Sequence, residues 1–98
     1  MSKYKFYKNS KTRFHPSLEV SSNEFEWQNM ELTSSPTKDG RYIELKENPN
    51  ENWKTKSYLR KYIRKDPICT RKQLLRKYKL SEEDIKEIEK YILNNKKS

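Results

Sequence analysis

Residues 15–33, HPSLEVSSNEFEWQNMELT, decide the fold class. Leu18 and Val20 alternate against Glu19, and Phe25 and Trp27 alternate against Glu24, Glu26 and Gln28. A period of two is that of a half-buried strand. Pro16 opens the first strand, a position that tolerates its missing N–H, and Ser21, Ser22 and Asn23 form the turn between the two runs. The second run changes phase at Asn29, because Met30 and Leu32 have the opposite parity to Phe25 and Trp27. A slip of one residue turns the buried face over, so the spacing predicts a bulge or bend near Asn29.

Working outward, Ser34–Gly40 is a loop that ends in Asp-Gly, a turn signal, and contains the only glycine of the chain. RYIELK, residues 41–46, is a returning strand with Ile43 and Leu45 inward, followed by a loop around Pro49. SYLRKYIRK, residues 57–65, has two readings. As a helix it makes a stripe of Tyr58, Leu59, Tyr62 and Ile63. As a strand it places Tyr58, Arg60, Tyr62 and Arg64 on one face and Leu59, Lys61, Ile63 and Lys65 on the other. The β elements before it favour the strand, ended by Asp66-Pro67. TRKQLLRKY, residues 70–78, reads as a short helix or turn with Leu74, Leu75 and Tyr78 on one side.

The last element is a helix over about 82–95. Ser81 caps it and forms an approximate capping box with Asp84. Glu82, Glu83 and Asp84 suit the positive N-terminus, and Lys96 and Lys97 the negative end. Ile85, Ile88, Tyr91 and Ile92 are its buried stripe. Residues 1–12 form a basic arm or a short strand, and residues 13–98 a single α+β domain. That domain is a small bent antiparallel sheet or SH3-like partly open barrel carrying the C-terminal helix.

Leu, Ile, Val and Phe number eighteen of 98 residues, close to the composition of disordered chains. Seven Tyr and two Trp restore a core closed by aromatics and by the apolar stems of Lys and Arg. A core this small is marginal by itself, which leaves room for a partner or a homodimer. One cysteine, Cys69, excludes an intrachain disulfide, and with one histidine, His15, it cannot close a zinc site. No apolar run reaches the roughly 18–20 residues of a membrane span, and no signal-peptide core is visible. These features predict a soluble cytoplasmic protein without a membrane partner.

The charge is segregated. The chain carries +9, yet residues 53–79 hold eleven Lys/Arg against one acid, Asp66. Residues 3–13 hold five basic residues and no acid, whereas 14–52 hold three basic and eight acidic residues. Segregation of this kind, with tyrosines threaded through it, points to a polyanion, most often nucleic acid. A helix-turn-helix over residues 72–92 would present Glu82, Glu83 and Asp84 to the phosphates, which repel them. RNA therefore ranks above duplex DNA. In the strand reading Arg60 and Arg64 contact phosphate and Tyr58 and Tyr62 offer stacking planes, with Lys61 and Lys65 nearby and Ser34 as a further contact. His15, Thr33 and Arg13 can assemble a phosphodiester-cleaving site. His moves the proton of a 2′-hydroxyl, Arg holds the phosphorane charge and a hydroxyl orients the phosphate.

The order of these pieces resembles the MazF/PemK-type toxins, small dimeric endoribonucleases with an SH3-like barrel. The resemblance is carried by His15–Ser21, Met30–Ser35, Arg41–Leu45, Ser57–Lys65 and Leu80–Ile85, and spans roughly residues 13–95. Thr33 matches the family's catalytic hydroxyl position, with Ser34 beside it. His15 stands where the family carries Arg before Pro, and the family's first barrel strand, which usually carries a Gly-Asp-aliphatic signature, has no counterpart, because only about a dozen residues precede the motif. The resemblance implies cleavage of single-stranded RNA without metal or cofactor, and a protein antitoxin as partner. The alternative is a non-catalytic nucleic-acid- or protein-binding factor of a phage or mobile element that blocks a host protein.

Overall fold

The computed structural model describes residues 4–13 and 15–96. Lys97, named above, lies outside them, as do the first three residues of the basic arm. Seven strands run in chain order: β1 Phe6–Asn9, β2 Pro16–Ser22, β3 Glu26–Thr33, β4 Tyr42–Glu44, β5 Tyr58–Arg60, β6 Arg64–Pro67 and β7 Lys72–Leu74. A 3-10 turn, Ser10–Thr12, joins β1 to β2, and helix α1, Glu82–Lys96, closes the chain. The strands form one antiparallel sheet in the order β4-β5-β3-β2-β1-β7, with β6 also on β3. The fold is α+β, a small bent sheet in a partly open barrel with a C-terminal helix.

β3 is the spine. One of its edges pairs with β2, and the other pairs with β5 at Leu32–Thr33 and with β6 at Glu26–Asn29. Both faces of β3 are covered, which accounts for the change of phase at Asn29. Met30 and Leu32 join Phe6, Leu18, Leu45, Leu59, Ile88 and Ile92 in the apolar core under α1. Trp27 and Asn29 are fully buried on the opposite face. β3 needs no bulge; the register shift lies in β2, between Glu19 and Ser21, directly across from Asn29 and Gln28. Phe25 is not part of the strand. It sits in the β2–β3 turn and is 76% exposed, because the Asn23 side chain accepts the Phe25 and Glu26 N–H groups and holds the turn.

Two further expectations change. The single strand over 57–65 is two strands, β5 and β6, broken at Lys61–Ile63 as the chain turns from one half of the β3 edge to the other. Asp66-Pro67 ends the segment as expected, as the last two residues of β6. Residues 72–74 are strand β7 rather than helix or turn, because the free edge of β1 offers a ladder. Gly40 does not adopt a positive φ. It is small because a Cβ there would lie 2.5 Å from the Tyr42 ring.

α1 is seated by its first turn. The Ser81 hydroxyl accepts the Asp84 N–H at 3.2 Å. The buried Asp84 carboxylate does not return to Ser81, as a capping box would have it. It accepts the Lys46 and Glu47 N–H groups, from the chain after β4, at 2.9–3.3 Å. Replacing Asp84 with Ala strands those donors and should lower stability by about 1–3 kcal/mol, read as a lower urea midpoint at unchanged m-value. A Glu83→Ala change, which removes an exposed carboxylate paired only with the Lys46 ammonium, should have a smaller effect.

Candidate nucleic-acid interface

Two neighbouring features form the candidate site. The first is a cleft of about 350 Å³ lined by His15, Pro16, Leu32, Thr33, Ser34, Ser35 and Trp53. It lies at the open ends of β2 and β3. The Ser17–Glu31 register, carried two residues further, sets His15 opposite Thr33. His15 is held there through its backbone. Its N–H donates to the Thr12 carbonyl at 3.0 Å, and its carbonyl accepts the Thr12 hydroxyl at 3.1 Å. The imidazole is exposed. Thr33 Oγ1 accepts the Ser35 N–H at 3.1 Å, which leaves its own proton available to an acceptor in the cleft. Arg13 does not line this cleft. It ends the 3-10 turn in the left-handed region, at φ 55°, an uncommon conformation for a non-glycine residue.

The second feature is an aromatic and cationic face on β4 and β5. Tyr58 pairs directly with Thr33 and with Glu44, and Tyr42 with Arg60. Partners across a ladder share a face, so Thr33, Tyr58, Arg60 and Tyr42 stand on the same side. The Tyr42 and Tyr58 rings meet edge to face at 6.4 Å, and Arg60 lies 5.5 Å from the centre of the Tyr62 ring. Tyr62 is 55% exposed. Hydrogen bonds with the Thr37 hydroxyl and amide hold the Tyr42 phenol below its ordinary pKa. Lys61 is exposed and turns toward the groove between β4 and α1, where Lys90, Tyr91 and Glu87 also lie.

The structure does not keep Arg64 with Tyr58, Arg60 and Tyr62. Its guanidinium forks onto Asp66, Nε to Oδ2 at 3.3 Å and a terminal nitrogen to Oδ1 at 3.1 Å. Asp66 also accepts from the Asn29 side-chain amide at 2.9 Å and the Asn9 amide at 3.4 Å, and Asn9 donates further to Ser17 Oγ. Arg64 is therefore the cationic member of a buried network, not a free ligand contact. Lys65 is exposed but belongs to β6, opposite Gln28. Sequence reasoning passed over two residues. Tyr42 carried a signal, since an inward Ile43 and Leu45 leave it on the other face. Trp53 carried none, because it comes to the cleft from the loop before β5.

Among the described residues no group of three His, Cys, Asp or Glu is placed to hold a metal ion, and no helix is long and apolar enough to cross a membrane. In comparisons with protein families, curated proteins and solved structures, the chain matches none.

Burial raises the Asp66 carboxyl pKa, but the hydrogen bonds from Arg64, Asn29 and Asn9 outweigh it, so the net displacement is downward. The folded chain thus holds Asp66 ionised more firmly than the unfolded chain does. Its stabilisation is complete above the unfolded value of about 3.9 and disappears as pH falls through the lower folded value. The thermal midpoint should fall on acidification below about pH 4. Asp66→Asn should lower the midpoint near neutrality and flatten that acid limb. Parallel acid limbs in both proteins would exclude Asp66 as the acid-sensitive group.

Proposed function

We propose that the protein binds single-stranded RNA on the Tyr42/Tyr58/Arg60/Tyr62 face and cleaves it in the His15–Thr33 cleft. The observation that carries the reading is convergence: a histidine and a threonine eighteen positions apart in the sequence line one cleft, and Thr33 is the ladder partner of Tyr58. Aromatic faces accept unpaired bases of any identity, and an arginine beside them neutralises the backbone. Duplex recognition finds less support, because α1 begins with three carboxylates, one of them buried.

In the cleft, His15 takes the proton from the 2′-hydroxyl, whose oxygen attacks the adjacent phosphorus. The bond from phosphorus to the 5′-oxygen breaks, and that oxygen takes a proton from solvent or from His15. The products are a 2′,3′-cyclic phosphate and a 5′-hydroxyl. The Thr33 hydroxyl donates to a phosphate oxygen and orients it. A small bent sheet with a C-terminal helix is the architecture that the resemblance to MazF/PemK-type toxins implies.

Binding and chemistry are separable by experiment. Wild-type protein should bind a labelled mixed-sequence RNA by fluorescence anisotropy. Tyr62→Ala or Arg60→Ala should weaken that binding about tenfold, the scale of one lost stacking contact. His15→Ala should bind as wild type does but release no cyclic-phosphate product. Absence of product from wild type at every pH from about 5 to 9, around the histidine range, would remove the nuclease and leave the binder.

A further inference from the structure

Strands β1 and β7 join the two basic segments of the chain that the sequence keeps about sixty residues apart. Tyr7 faces Leu74, Lys8 faces Gln73 and Asn9 faces Lys72. The ladder continues at both ends, with the Leu75 N–H donating to the Phe6 carbonyl and the Ser10 N–H to the Arg71 carbonyl. The same register carried outward sets Lys5 opposite Arg76. Residues 4–13 and 67–81 together hold nine Lys/Arg and no Asp or Glu. Among the described residues none of the nine takes part in an ion pair, unlike Lys46, Lys56 and Arg64.

The acids that face this pair come from elsewhere. Glu19, on β2, is taken by the Trp27 indole N–H at 3.0 Å, and Lys72 lies over that same indole, 4.5 Å from its centre. Glu47 and Glu51 share a cleft with Arg76, Lys77 and Lys79 and offset their charge. Lys8, Lys11 and Arg71 are exposed on the other stretch of the pair, beside Ser10 and Gln73. β7 pairs with β1 alone, so its outer edge is open. β7 and its flanking ladder bonds, Arg71–Leu75, make an edge of five residues, roughly 16 Å long. It is line-shaped, as a sugar–phosphate backbone is. A lipid surface is better matched by a flat face that inserts apolar side chains.

We propose that the β1–β7 edge is a second binding site, a phosphate track for the backbone of a nucleic-acid strand, with Lys8, Lys11 and Arg71 as its principal contacts. Arg13 follows the 3-10 turn that starts at this edge and precedes His15 by two residues, so the track leads toward the cleft. The inference rests on RNA as the ligand and is independent of cleavage.

The test is the salt dependence of RNA binding. The triple variant Lys8→Gln/Lys11→Gln/Arg71→Gln removes three exposed charges whose side chains make none of the hydrogen bonds described above. It should bind the mixed-sequence RNA about tenfold or more weakly, and the slope of log K against log salt should become shallower by about 2. The charge-retaining variant Lys8→Arg/Lys11→Arg/Arg71→Lys should bind as wild type does, with the thermal midpoint of all three proteins unchanged. Wild-type affinity and slope in the neutral variant, with loss only in Tyr62→Ala, would overturn the track and leave the tyrosine–arginine face as the RNA site. Loss of binding in the charge-retaining variant would overturn it too. No RNA binding by wild type at low salt, with binding to phosphatidylserine vesicles instead, would overturn both the track and the RNA reading.

Discussion

The carboxylate of Asp66 accepts from Arg64 on its own strand, from Asn29 on β3 and from Asn9 on β1, and Asn9 passes the contact on to Ser17 of β2. Four strands are thereby referred to one buried anion. On the face of the sheet turned away from α1, Trp27 is buried against the Tyr7 ring, and beside it this network sets how β6 and β1 sit relative to β3. A buried carboxylate without partners is expensive, and each partner here comes from a different element or turn. The network thus specifies an arrangement at least as much as it stabilises one. A pair slipped by a single residue would leave amides and charge unmatched in the interior.

The same network decides what the surface can offer. Arg64 carries a charge that is already engaged, so the cationic part of the candidate site reduces to Arg60, Lys61 and their neighbours on β4 and β5. The corner at Lys61–Ile63 follows from the same demand. β6 must reach the first half of β3 to bring Asp66 to Asn29, whereas β5 has to reach its last two residues. One continuous strand cannot satisfy both.

How far the sequence was legible follows from these constraints. Alternation located β2, β3 and β4, and the stripe of isoleucines located α1, because each signal is local. The phase change at Asn29 was visible, but its cause was not. A strand buried on both faces and a strand with a bulge have the same pattern, and only Asn9, Ser17 and Asp66, brought in from other strands, distinguish them. β7 was read as helix or turn because Lys72–Leu74 have no strong preference of their own, and the open edge of β1 decides their state. At the site, His15, Thr33 and Ser34 could be read together from the order of the chain. The loss of Arg64 depends on Asp66 being held by Asn29 and Asn9, 37 and 57 residues away, and Trp53 joins His15 from 38 residues away, separations that no local pattern encodes.

The pairing of β1 with β7 also has a consequence for how the chain matures. β1 leaves the ribosome more than sixty residues ahead of its outer neighbour, β7. Until then β1 has only β2 beside it, and its free edge, which carries Lys8 and is flanked by Lys5 and Lys11, is exposed to whatever polyanion is at hand. Lysine on an open edge discourages pairing with other strands. The charge that marks this edge in the folded protein therefore also guards the nascent chain during the interval in which its sheet is incomplete. High sequence separation of this kind slows closure, so that interval is long compared with the formation of the β2–β3 hairpin.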